Sequence, residues 1–159
     1  MENSLAGKES ERIIKKYADM IYRIAFQNLK NRADAEDIFQ DVCIALITKN
    51  PPLDNEEHLK RWLIRVTVNK CSNVHKSVWK TRVEPIDEHL DLPSKEEKEV
   101  MEELWELPKK YRNVIYLYYY ESYTIPEIAE ILGKSKNTVS SQLTRARKKL
   151  KTILTDFKE

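Results

Sequence analysis

The chain has 159 residues, 41% hydrophobic and 34% charged, which suits one domain of ordinary size or two small ones, and two small ones is the reading taken. Two glycines and six prolines against abundant Lys, Glu, Leu and Ile, with no sustained period-two alternation, make the expected fold class all-α. The net charge of +2 sums separated blocks, basic over 58–83, acidic over 84–106 and basic again over 134–151, and no apolar run reaches the ~18 residues that a membrane span needs, so a cytoplasmic chain is expected.

In chain order, Ile13, Ile14, Tyr17, Met20, Ile21, Ile24, Ala25 and Leu29 recur at three- and four-residue spacing, which predicts a first helix over 9–30 with one buried face. Asn31 is placed to cap a second helix with Asp34 three positions on, and Ile38, Val42, Ala45 and Leu46 line its inner face until Pro51-Pro52 stops it. Asp54 or Asn55 starts a third helix carrying Leu59, Trp62, Leu63 and Val66 toward the same core, with a basic opposite face. Cys43 and Cys71 are too few for a disulfide framework and have no zinc spacing, so neither metal nor cofactor is expected, and Cys71 faces either core or DNA.

"VEPIDEHLDLPS" carries two prolines and several acids and is taken as a linker over 83–94, between a first domain at 1–82 and a second at 95–159. In the second domain a helix beginning near Lys95 pauses at Leu107-Pro108, with Pro108 at the opening of the next. The tyrosines of "YLYYYESY" follow a helical stripe through Val114, Leu117, Tyr118 and Tyr120, so they read chiefly as packing residues rather than stacking platforms.

"TIPEIAEILGKSKNTVSSQL" then holds a capping box at Thr124 and Glu127, a left-handed helix end at Gly133 and a second cap at Ser135. Two helices, 125–132 and 136 to about 153, joined by so short a turn make a helix-turn-helix. Ile125, Ile128, Leu132, Val139, Leu143 and Ala146 are expected to fill the crossing. Lys136, Asn137, Thr138, Ser140, Ser141, Gln142, Thr144 and Arg145 are expected at the exposed face, suited to base edges, with Arg147, Lys148, Lys149 and Lys151 further along toward phosphates. A solvated αα-hairpin is the plainer alternative. A helix this basic without one acid favours phosphate contact, since a merely soluble helix mixes signs.

"LPKKYRNVIYLYYYESYTIPEIAEILGKSKNTVSSQLTRARKKL" resembles the second DNA-binding region of bacterial sigma factors, while "RADAEDIFQDVCIAL" and "HLKRWLIRVTVNKCSNVHKSVWK" resemble their first conserved domain. The ordered pair with an acidic linker between is the layout of the small extracytoplasmic-function (ECF, group 4) sigma factors. The resemblance implies a non-enzymatic factor that binds core RNA polymerase and promoter DNA, both duplex and melted strand, and that an anti-sigma factor restrains. It assigns polymerase docking to Asp34, Glu36, Asp37, Gln40 and Asp41; the metal-dependent nuclease alternative fails because these acids fall opposite Ile38, Val42 and Ala45 rather than converging inward.

The downstream promoter element falls to the loop Lys49–Glu57 with Leu53, and to Arg65, Asn69, Asn73, Lys76 and Lys80, which would hold an unstacked base against its cost of a few kcal/mol. The upstream element falls to Lys136, Asn137, Thr138, Ser140, Ser141, Gln142, Arg145, Arg147 and Lys148. Ser140 and Gln142 stand where the family commonly has basic residues, and Asn137 where it has glycine. Trp79 stays open between core and DNA, and the linker acids Asp87, Glu88 and Asp91 between nucleic-acid mimic and solvated tether. The rival readings are a dimeric helix-turn-helix regulator binding duplex DNA without polymerase, and a structural or inhibitory protein that only occupies polymerase.

Overall fold

The computed structural model describes residues 2–74 and 104–158, and among these every regular element is helical. The chain divides into two compact units, Met1–Leu92 and Pro93–Glu159. The expected linker over 83–94, the helix expected near Lys95, and Lys76, Trp79 and Lys80 lie outside the described residues.

The first unit packs α1 (Glu2–Leu29), α2 (Arg32–Lys49) and α3 (Glu56–Val74) against one another. The stripe predicted for α1 is its core face except at one position: Ile13, Tyr17, Met20, Ile21, Ile24, Ala25 and Leu29 are buried, whereas Ile14 is only half-buried. Lys30 turns the chain in the left-handed region (φ 59°), and the Asp34 N–H then donates to Asn31 Oδ1 at 3.0 Å to cap α2. The Asn55 side chain accepts from the His58 N–H at 3.1 Å, so α3 opens one residue later, at Glu56. Glu56 also takes Arg12 Nη1 at 3.0 Å and Lys16 Nζ at 2.5 Å, pinning the start of α3 to α1. These pairs lower the Glu56 pKa through the Lys16 and Arg12 hydrogen bonds, but they sit in solvent and fix geometry more than they stabilise.

The inner face of α3 differs from the expected one. Leu59, Leu63, Ile64, Thr67 and Cys71 are buried, whereas Trp62 and Val66 are half-buried, a rotation of the stripe by about one residue. The reason is contact from two sides: α3 packs on both α1 and α2 and buries the row between them. Thr67 is admitted because its hydroxyl donates to the Leu63 carbonyl at 2.6 Å. Cys71 therefore faces core.

In the second unit α4 (Lys109–Ile115) follows Pro108 and runs into a π-helical turn, Tyr116–Tyr120, that periodicity did not foretell. The Glu121 N–H donates to Tyr116 O at 3.2 Å and the Tyr123 N–H to Leu117 O at 3.0 Å, each beyond the α-helical register. Tyr116 and Tyr123 are buried and Tyr118 half-buried, in keeping with packing roles, whereas the turn leaves Tyr119 and Tyr120 in solvent, which corrects the place expected for Tyr120 on the packed stripe.

Next come α5 (Ile125–Leu132) and α6 (Lys136–Lys158). The capping box is complete: Thr124 N–H donates to Glu127 Oε1 at 3.0 Å and Glu127 N–H to Thr124 Oγ1 at 3.3 Å. Gly133 is left-handed (φ 66°), the Lys134 N–H donates to Ala129 O at 2.9 Å, and Ser135 Oγ accepts from the Thr138 N–H at 3.1 Å to begin α6. Ile128, Val139, Leu143 and Ala146 fill the crossing as expected, joined by the small Ala129, but Ile131 is fully buried where Leu132 was expected, and Leu132 and Ile125 are half-exposed.

Candidate nucleic-acid interface

The start of α6 is set by devices close in sequence. The Gly133 reversal and the Ser135 cap fix where the helix begins, and Val139, Leu143 and Ala146 fix which side is buried. Lys136, Asn137, Thr138, Ser140, Ser141, Thr144, Arg145, Arg147 and Lys148 are exposed. Gln142 is not: only 8% of it is accessible, correcting the expected base-facing placement. It lies one turn beyond Val139 and one before Ala146, at the edge of the buried stripe, and its Oε1 accepts from Lys134 Nζ at 3.4 Å. Partial burial, then the charge of Lys110, lower the Lys134 pKa.

Sequence reasoning missed the setting of Arg147. Its Nε donates to Tyr119 Oη at 2.6 Å, and the guanidinium carbon lies 5.1 Å from the Tyr118 ring centre and 5.6 Å from that of Tyr119. The π-helical turn makes this possible by bringing both rings alongside α6. Nothing in the run of tyrosines signalled it, because the extra residue is set by tertiary packing.

Arg112 was missed as well. It is buried, burial pulls its pKa down to about 10, and its Nη1 donates to the Trp105 carbonyl at 3.4 Å. It belongs to the interior of the unit and is no part of the exposed basic face.

On the first unit, Asp37, Gln40 and Asp41 are exposed along α2. Asp34 is buried, correcting its expected place on that face: it sits four residues before Ile38 and so shares the inward stripe. Glu36 is half-exposed and pairs with Arg32 Nε at 3.1 Å. The outer face continues into Ile44 and Ile47, 57% and 63% accessible, which the sequence reading passed over. Phe39 stacks on Tyr22 at 4.4 Å, outside the main core stripe.

Arg65, Asn69 and Asn73 stand exposed at four-residue intervals on α3, so they share one face; Lys49 is exposed and Leu53 half-buried in the preceding connection. Among the described residues no three His, Cys, Asp or Glu side chains group so as to hold a metal, and no helix is long and apolar enough to cross a membrane.

The order of these units matches known families. Residues 13–81 match the family model for Sigma-70 region 2 and residues 97–150 that for Sigma-70, region 4. Among curated relatives, RNA polymerase sigma factor SigV of Bacillus subtilis is 34% identical over 140 residues, covering 84% of this chain and 84% of the relative. ECF RNA polymerase sigma factor SigW of the same organism is 26% identical over 167 residues, covering 91% and 88%. The fold is similar to that of the sigma factor RpoE, solved in complex with the anti-sigma factor NepR from Bartonella quintana, at a TM-score of 0.68 and 20% identity over 91% of this chain and 96% of that one. With a helix-turn-helix in one unit, an acid-faced helix in the other and both regions matched in order, the chain belongs to the ECF branch of the sigma-70 RNA polymerase sigma factors, DNA-binding proteins of transcription initiation.

Proposed function

We propose that this chain works in the cytoplasm as a group 4 ECF sigma factor without catalytic activity, docking core RNA polymerase through α2 and reading two promoter elements. The observation that carries the reading is the presence of both sigma-70 regions, in order, in one chain. Its first domain, over residues 1–82, takes polymerase on Asp37, Gln40 and Asp41, with Glu36 at the edge, and the melted downstream element on Lys49, Leu53, Arg65, Asn69 and Asn73, with Lys76 and Lys80 beyond. The second domain, over 95–159, takes the upstream duplex on α6, and residues 83–94 join the two. Because RpoE was solved bound to an anti-sigma factor, a protein of that class is also proposed as a restraining partner here.

Exposed acids on one helical face support docking over a metal site, since carboxylates that serve a metal converge while these are spread along an outer row. The test is gel filtration with purified core polymerase, followed by promoter binding with and without it. The chain is expected to co-migrate with polymerase and to bind the promoter only in its company. Reversing charge at Asp37 and Asp41 together should abolish co-migration while the helical circular dichroism stays intact. Promoter binding by a symmetric dimer without polymerase would instead make the chain a classical regulator.

A further inference from the structure

We propose that the upstream-reading helix α6 is held by two anchored cation sites, one for each phosphate strand lining the groove: Arg147 with Tyr119 on one flank, and Lys110 with Lys149 beside Tyr111 on the other. This rests on the reading of α6 as the duplex-binding helix. The buried residues Val139, Gln142, Leu143 and Ala146 define the inward direction of α6. At about 100° per residue, Asn137, Ser141 and Lys148 then lie close to the outward line, with Arg147 roughly 90° to one side and Lys149 roughly 110° to the other. A helix about 10–12 Å across fills a major groove about 12 Å wide, so its two flanks meet opposite walls, and those walls are the two sugar-phosphate strands.

Contacts with the rest of the unit differ on the two flanks. On one, Tyr119 Oη receives Arg147 Nε at 2.6 Å and the rings of Tyr118 and Tyr119 back the guanidinium, an arrangement that orders a long side chain before DNA arrives. On the other, Lys110 Nζ and Lys149 Nζ lie 5.2 Å and 5.7 Å from the centre of the buried Tyr111 ring. The two lysines come from α4 and from α6. Neither of them is ion-paired with a carboxylate among the described residues. Like charges gathered without an acid repel one another, and an anion brought among them relieves that repulsion. The anion next to a duplex-reading helix is a backbone phosphodiester. Tyr119 is thus a positioning residue for Arg147, and Lys110 is a phosphate contact supplied from outside the recognition helix.

The experiment is holoenzyme binding, over a salt series, to upstream-element duplexes whose phosphates are neutralised as methylphosphonates on one strand or the other. The wild type should lose affinity with either strand neutralised. Lys110→Ala/Lys149→Ala should become indifferent to one strand only, with a salt slope shallower by about two units. Arg147→Ala, and more weakly Tyr119→Phe, should become indifferent to the other strand. The arginine pair Lys110→Arg/Lys149→Arg should restore the slope, which a folding defect would not allow. The clamp is overturned if both sets of variants lose sensitivity to the same strand or if the lysine double variant keeps the wild-type slope. Wild-type strand sensitivity in Tyr119→Phe overturns the positioning role. If Arg145→Ala and Lys148→Ala, on the outward side of the same helix, also leave upstream binding untouched, the docking of α6 itself is wrong and the clamp falls with it.

Discussion

Arg145 and Lys148 are neighbours on α6 with different expected work. Both are exposed, but Arg145 lies nearer the capped start of the helix, where side chains reach base edges, and Lys148 lies a turn further on, where phosphates are in reach. A good bidentate base contact discriminates by about 1–3 kcal/mol, whereas a phosphate contact carries roughly one unit of salt slope and little sequence information. Holoenzyme carrying Arg145→Ala should show flattened preference among single-base upstream variants, at one or two positions. Lys148→Ala should weaken all variants alike and shallow the salt dependence. Burial of Gln142 changes what is expected of it: Gln142→Ala should leave base preference as it was, because the side chain is spent on Lys134 inside the crossing. A shift of preference with Lys148→Ala but not with Arg145→Ala would mean that the helix is turned otherwise in the groove.

At the scale of the element, the helix-turn-helix depends on two short devices. The capping box satisfies backbone N–H groups that the first turn of α5 cannot pair, and Thr124→Ala should cost about 1 kcal/mol. At Gly133 an added Cβ meets no atom within 4 Å, so Gly133→Ala pays only for a left-handed backbone, again about 1 kcal/mol. Urea unfolding of the full chain, followed by a signal from the second unit, measures both. A loss of several kcal/mol at Gly133 would point to a steric clash that the open space there does not contain.

For the whole molecule, the division of labour between the units predicts that attachment and opening separate. Asn69 and Asn73 share an exposed face of α3 and are proposed to hold a base already out of the stack, so they act after the upstream contact is made. Asn69→Ala and Asn73→Ala should reduce permanganate reactivity at the downstream element of linear duplex while initial attachment persists, and a preformed bubble should restore complex formation. Equal loss of attachment on duplex, with no rescue by the bubble, would make both residues structural.

The sequence determined what depends on local chemistry. Caps at Asn31, Thr124 and Ser135, the reversal at Gly133 and all but Ile14 of the α1 stripe were legible, and the cap of α3 was narrowed to Asp54 or Asn55, because a cap or a helical period is set within a few residues. The exposure of Asp37, Asp41, Asn69 and Asn73 was legible for the same reason, since each falls off a clear apolar row. Tertiary structure decided the rest. Asp34 and Gln142 are polar, yet both lie on inward rows, and burial is set by the neighbouring helix rather than by the residue's own polarity. The buried row of α3 is set by packing against two helices at once, which a single-helix period cannot encode. The π-helical turn that carries Tyr119 to Arg147 adds one residue to a run whose period looks ordinary, and only the meeting of α4 with α6 fixes where that residue goes.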